Sequence, residues 1–229
     1  MSIIKCEAGA ERRRVRKLGL FLVALPGALM LSLSNAHAVP SFARQTNMPC
    51  TQCHTDFPQL TPFGRKFKLL GYLLDAQQSK LPHIAFMGIA GFTHTNKDLP
   101  ERPEHFKVND NVALNEASIF YGGVIIPKYV GGFIQGTYDG IEDSYALDNT
   151  DIRFAHQGMV AGHNVVYGVS LNNNPTVQDL WNTTPAWGFP FNASGFLPEP
   201  AASTLIQGGL EQQVAGLTVY TMIDGKLYL

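Results

Sequence analysis

The residues best suited to chemistry stand together: Cys50, Cys53 and His54, in the run CTQCH. Cys-x-x-Cys-His is the spacing that attaches a c-type haem, in which two thiols add to the porphyrin vinyl groups and the following imidazole becomes an axial ligand of the iron. Cys50 and Cys53 are therefore the expected thioether residues and His54 the expected proximal iron ligand of one covalently attached haem. Other readings of a close cysteine pair use these residues less completely. A thioredoxin-like redox pair expects a βαβ context, which the surrounding sequence lacks. A structural zinc site needs four ligands, so a distant histidine would have to join the three. A disulfide across two residues leaves His54 without a role. Spacing does not fix the sixth iron ligand: Met48, His83 and Met87 are candidates, with an open or water-bound position as the alternative. His94, His105, His156 and His163 fall in segments that read as loops or turns. Ligand type matters, because methionine raises the potential relative to two histidines.

The elements that must hold this motif are short and helix-prone. Thr61-Pro62 reads as an N-cap and first helical residue, Phe63, Phe67 and Leu70 follow at i, i+4 and i+7, and Gly71 can end the helix. Phe63 and Phe67 are expected to press on the haem face. Arg65, Lys66 and Lys68 are expected either to meet its propionates or to form a solvated basic face. Forty-odd residues hardly build a core alone, and covalent haem would supply apolar mass.

Upstream, five basic residues (Arg12, Arg13, Arg14, Arg16, Lys17) precede an apolar run from Leu18 to Leu33, and Ala36-His37-Ala38 offers a small-x-small cleavage pattern. Residues 1 to 38 therefore read as an export signal, with an uncleaved anchor as the alternative. Of 17 basic and 18 acidic side chains, six and two lie in that segment, which leaves 11 against 16 in an acidic exported chain. A phosphate backbone rewards a clustered positive field, so nucleic acid is not an expected partner. Cys6 leaves with the signal, and the remaining cysteines are the two of the motif.

Residues 39 to 82 form the expected haem-binding unit, and after His83 the composition changes to Gly-rich and aromatic-rich segments of strand length. Seven are expected: HIAFMGIAGFTHT, NVALNEASIFYGGVII, YVGGFIQGTYDG, DIRFAHQGMVA, HNVVYGVSLNN, TLIQGGLEQQV and LTVYTMID. In HNVVYGVSLNN, Val165, Tyr167, Val169 and Leu171 oppose Asn164, Val166, Gly168, Ser170 and Asn172. A soluble sandwich turns such an apolar face inward; a membrane barrel turns it outward. The links alternate between short (IIPKYV, VAGHN, VAGLT) and long (residues 96 to 110, 139 to 148 and 173 to 203), the asymmetry of outer-membrane barrels. The expectation is a mainly-β chain: the helical haem unit, then an antiparallel outer-membrane β-barrel over residues 83 to 229. Bacterial barrels have an even strand number, and an open edge is not tolerated in hydrocarbon, so seven strands read as a truncated barrel. An eighth strand within 174 to 203 competes with that reading, but five prolines there suit an outer loop better.

Residues 42 to 72 resemble the start of the fused outer-membrane cytochrome-porins, a family that includes the outer-membrane iron-oxidising cytochromes. The resemblance lies in Cys50 to His54, Phe57-Pro58, Leu60-Thr61, Phe63-Gly64-Arg65, Phe67-Lys68 and Gly71-Tyr72, followed by a β-rich chain. It implies a single haem on the periplasmic side of a porin-like barrel, or inside it, passing electrons between the cell exterior and periplasmic carriers. Extracellular Fe(II) is the implied donor in part of the family.

Two further features bear on function. DGIEDSYALDNTD places Asp139, Glu142, Asp143, Asp148 and Asp151 in an expected outer loop, where hard oxygen ligands could concentrate a divalent cation, or form an ordinary solvated loop. Glu116, Gln135 and Glu211 could line a lumen, so a porin whose haem acts as plug, gate or sensor is the alternative function. A haem peroxidase needs distal acid-base residues, and no such constellation is visible.

Overall fold

Among the described residues after His83 the chain forms seven strands, most of them on alternating apolar and polar residues: β1 (Ile84–Thr93), β2 (Asn111–Ile126), β3 (Val130–Asp139), β4 (Ser144–Val160), β5 (His163–Asn172), β6 (Gly216–Ile223) and β7 (Leu227–Tyr228). In this computed structural model the described residues are 40–74, 81–184, 194–197 and 210–229, and all lie within one compact unit. The expected export signal lies outside them. Each strand pairs antiparallel with its sequence neighbour, giving one sheet in the order β1 to β7. The sheet does not close on itself, and β7 covers only Met222 and Ile223 of β6. The chain is mainly β, as its alternation predicts.

Two expected boundaries move. Of TLIQGGLEQQV, residues 204–209 lie outside the described residues, while 211–213 form a turn; the seventh strand is instead Leu227–Tyr228. β4 begins at Ser144, so the expected long link of residues 139 to 148 shrinks to the tight turn 140–143. The reason is pairing: Asp139 to Val130 find partners along the whole of Ser144 to Phe154, with one register shift at Gln135/Gly136. Within 174 to 203, the described part holds a 3₁₀ turn at Pro175–Gln178.

The two faces of the sheet differ in chemistry. One carries Phe86, Val112, Tyr145, Leu147, Leu171 and Val219, with Phe86 75%, Val112 73%, Tyr145 83% and Val219 75% exposed. The other carries Ser118, Gln135, Thr137, Asp151, Arg153, Ser170 and Asn172, joined by hydrogen bonds such as Ser118 with Thr137 (2.7 Å) and Asn149 to Gln135 (3.0 Å). The covered face also carries Phe120, Phe133, Val166 and Tyr220, so it is mixed; what departs from a soluble sandwich is the apolar, exposed face opposite.

Among the described residues three short helices precede the sheet, α1 (Pro40–Thr46), α2 (Cys50–Cys53) and α3 (Pro62–Leu69); α1 and α3 lie against its covered face, and α2 packs on α3. Thr61 caps α3 by accepting from Gly64 N at 3.1 Å, Pro62 occupies its first position, and Gly71 follows its end at φ +64°. Gly71 also lies against Gly131 of β3 so closely that a Cβ on Gly131 would collide with the Gly71 carbonyl. Phe42 stacks on Tyr72 with centroids 5.3 Å apart and meets Phe67 edge-on at 5.2 Å, and this aromatic group reaches Phe133 and, through it, Phe120 on the sheet. Leu69, Val166, Leu180 and Tyr220 form a second buried apolar group between α3 and the wall.

Between these groups lies a buried ionic network. Arg153 Nε donates to both Asp151 oxygens at 3.0 and 2.8 Å, and both side chains are almost fully buried, 1% and 0% exposed. Tyr72 OH donates to Asp151 Oδ2 at 2.5 Å, Ser170 Oγ to Oδ1 at 2.7 Å, and Arg153 NH2 to the Val177 carbonyl at 2.9 Å. The guanidinium also lies over the rings of Tyr72 and Tyr220. Tyr72 adopts φ +64°, an uncommon conformation for an aromatic residue, and its bond to Asp151 is what that backbone turn achieves. Removing one partner leaves the other charge buried and unpaired. Asp151→Ala should therefore cost about 3–5 kcal/mol in denaturant unfolding, and Asp151→Ala with Arg153→Met should recover much of it; a double variant no better than the single would count against the ion pair as the source.

Candidate functional site

CTQCH forms a single helical turn followed at once by a change of direction. His54 N donates to the Cys50 carbonyl at 3.0 Å, and His54 then takes extended backbone angles and bridges antiparallel to Leu60. The loop between them is stitched by Thr55 N to Gln59 O (3.2 Å), Thr61 N to Cys53 O (2.9 Å) and Thr61 Oγ to Gln52 O (2.8 Å). Thr61 thus ties α3 to α2 with the same hydroxyl that caps α3. Gly64 brings the helices into contact: a Cβ there would overlap the Cys53 carbonyl.

Both thiols are free and half-buried. Burial, and then the neighbouring Cys50, push the Cys53 thiol up. Burial lowers the His54 pKa despite the opposing backbone contacts, so the ring favours the neutral form, the form that ligates metals. His54 Nδ1 lies 3.2 Å from the Pro58 carbonyl, which can only accept; Nδ1 therefore carries the proton and Nε2 keeps its lone pair. Phe57 lies against the ring, with centroids 4.6 Å apart. Two thiols one helical turn apart, beside an imidazole oriented through Nδ1, suit the covalent holding of a haem. Among the described residues no group of three or more His, Cys, Asp or Glu is placed to hold a bare metal ion, which the zinc alternative requires.

The surrounding residues divide differently from their expected roles. Phe67 is buried against Phe42 and Tyr72, so it anchors the unit to the sheet and does not face the motif. Phe63 is half-buried and Lys66 exposed. Arg65 donates to the Leu60 carbonyl and lies over Trp181 at 5.5 Å. Lys68 does not form part of a basic face: it is buried, and its Nζ donates to the Asp179 carbonyl at 2.8 Å and to Asn182 Oδ1 at 2.7 Å. Amphipathic spacing shows that one face of α3 is covered but not by what.

The three distal candidates lie in different settings. Met48 is half-buried between α1 and α2. His83 sits at the start of β1 beside Tyr121 and Gly123, its Nδ1 buried without a hydrogen-bond partner and its pKa lowered by burial and by Arg44. Met87 is half-buried on the polar face, paired with Ser118. Of the other histidines, His94 pairs with Asp110 in the first long link, His105 is exposed there, and His163 opens β5 and pairs with Asp224. His156 is not in a loop: it stands on β4, outward, beside Tyr167.

The expected acidic loop is dispersed. Asp151 belongs to the buried ion pair, and Asp148 is half-buried on β4 and accepts from Gln212. Asp139 caps its own turn through Ile141 N and Glu142 N, and Asp143 accepts from Tyr138 OH. Turn-forming residue types concealed that β4 starts at Ser144. Glu116 and Gln135 do stand on the polar face, whereas Glu211 lies in the link before β6, bonded to Asn174.

Sequence reasoning missed the segment after β5. Instead of an outer loop, residues 174–182 lie along the polar face and over the motif unit: Gln178 donates to Ser170, Leu180 is buried, Leu60 N donates to Trp181 O (3.0 Å) and Asn182 Nδ2 to the Pro58 carbonyl (3.2 Å). A clue was present in Leu180 and Trp181, apolar residues amid prolines and asparagines.

No protein-family model, curated protein or solved structure matches this chain. The geometry of the chain itself therefore carries the functional reading.

Gly64→Ala should push α3 from α2 and cost about 1–3 kcal/mol. Hydrogen exchange should show lost protection at residues 50–64 with β4 and β5 unchanged; equal protection throughout would mean that the contact yields freely. Lys68 gives a pH signature. Burial first, and then Arg153, lower its pKa to about 7, against the opposing pull of Asp151 and Asp179, from an ordinary 10.5. Unfolding therefore takes up a proton between these values. Stability should rise as pH climbs from about 7 towards 10.5, by up to about 1.4 kcal/mol per pH unit, and Lys68→Met should flatten that slope. An unchanged slope in the variant would assign the titration to another group.

Proposed function

We propose that this chain is an outer-membrane monohaem c-type cytochrome-porin that moves electrons between the cell exterior and periplasmic carriers. The observation that carries the reading is that the CTQCH unit is anchored, through α3 and the segment after β5, to the covered face of a sheet whose opposite face is apolar and exposed. An apolar exterior over a polar interior suits strands solvated by hydrocarbon, the arrangement of an outer-membrane barrel. Cys50 and Cys53 would hold the porphyrin through thioethers, and His54 would meet the iron through Nε2. The haem supplies one-electron exchange between ferrous and ferric iron. The chain's own residues supply orientation: Pro58 O fixes the His54 tautomer, Phe57 limits the ring's rotation, and Thr61 and Gly64 hold α2 against α3. Extracellular Fe(II) is the proposed donor, approaching without help from a five-carboxylate loop.

The second reading, a porin whose haem unit is a plug or gate, is favoured by one specific observation. Helices α1 and α3 and the segment after β5 lie on the covered face, through Phe42 on Phe133, Tyr220 OH to Leu69 O and Arg153 to Val177 O, where they would fill the lumen of a closed barrel.

Expression of the full chain with the periplasmic haem-attachment machinery, followed by membrane fractionation and redox titration with Fe(II), tests the proposal. The expected product is an outer-membrane protein carrying one covalent haem that Fe(II) reduces. Absence of covalent haem would sink the cytochrome reading. Haem that Fe(II) fails to reduce at the working pH would remove iron as donor, and solute flux sensitive to haem would favour the gate.

A further inference from the structure

Asn182 stands 124 residues beyond Pro58 in sequence, yet its Nδ2 donates to the Pro58 carbonyl at 3.2 Å, the same oxygen that accepts from His54 Nδ1 at 3.2 Å. One carbonyl thus serves two donors through its two lone pairs. The Asn182 amide is oriented on both sides. Pro58 O can only accept, so the NH₂ must face it, and the amide oxygen faces Lys68 Nζ at 2.7 Å. Lys68 is itself held by the Asp179 carbonyl, and Asp179 shapes the turn by accepting from Trp181 N at 3.0 Å and Thr184 N at 2.7 Å. Leu60 N to Trp181 O (3.0 Å) completes the clasp on the other side of the motif loop.

We infer that Asn182 is a positioning residue for His54, acting through the Pro58 carbonyl to set how strongly that imidazole donates to a bound iron. The inference rests on the haem reading proposed above. A hydrogen bond from Nδ1–H to a carbonyl adds electron density to the imidazole and strengthens its donation at Nε2, which favours ferric iron. When Asn182 donates to the same oxygen, less of that oxygen's basicity is available to His54. The clasp therefore holds the potential higher than CTQCH and Pro58 alone would set it.

Asn182→Leu removes the donor at nearly constant volume, and Asn182→Asp keeps the shape and the Lys68 partner while replacing the NH₂ with an acceptor. In the haem-loaded full chain both should lower the midpoint potential, shifting the ferric-to-ferrous ratio at a fixed applied potential by about three- to tenfold, where tenfold corresponds to 59 mV for one electron. The His54 Nδ1 proton resonance of the reduced protein should move downfield in Asn182→Leu, which separates a strengthened hydrogen bond from general loosening. Thr183→Ala, an exposed neighbour in the same segment, should move neither. A haem-loaded Asn182→Leu protein with unchanged potential and unchanged resonance would overturn the inference and leave the haem reading intact. A wild-type chain that accepts no haem would overturn both.

Discussion

The Asp151 carboxylate is the constraint on which the molecule's interior turns. Buried on a sheet wall, it would be intolerable alone, and it is matched by Arg153 two residues along the same strand, by Ser170 across the ladder and by Tyr72 from the helical segment. Only Tyr72 comes from outside the sheet, so completing the network requires the helical segment to be seated. Arg153 then reaches Val177, which brings the segment after β5 onto the same wall. Three parts of the chain far apart in sequence are thereby assembled around one ion pair, and the motif loop is closed between them.

That seating combines apolar packing with directed polar contacts because the wall carries both. Burial of apolar surface is non-directional and tolerates sliding, whereas a hydrogen-bonded ion pair has a preferred geometry. The aromatic group of Phe42, Phe67, Tyr72 and Phe133 supplies attraction; Tyr72 and Lys68, each with named acceptors, fix register. Among the described residues the opposite face carries no buried ion pair. Its Phe86, Val112, Leu171 and Val219 side chains stand exposed, the feature on which the outer-membrane proposal rests.

The sequence revealed what is decided locally. CTQCH is chemistry within five residues, α3 is announced by Thr61-Pro62 and ended before Gly71, and five of the seven strands carry their alternation openly. It concealed what depends on distant partners. Asp148 stands among Asp and Asn, residues that mark loops, yet pairing with β3 draws its segment into a strand, and Asp151, first residue of an expected strand, gave no sign of its buried partners. Lys68 looked like a surface cation until Asn182, 114 residues away, supplied its acceptor. β7 consists of two paired residues, too few for any period to register.

Lys68 and Asn182 also tie the loop after CTQCH, on so small a helical unit, to the rest of the fold. A free unit of this size leaves its loop carbonyls to water, and their basicity then depends on solvent. Here the Pro58 oxygen accepts from both His54 and Asn182, and Leu60 N is taken by Trp181 O. Water is replaced by donors and acceptors whose positions are set by the wall, so the surroundings of His54 are a property of the whole fold and not of five residues. The same motif on an unclasped loop would keep its cysteines and histidine and lose the fixed polarity around them.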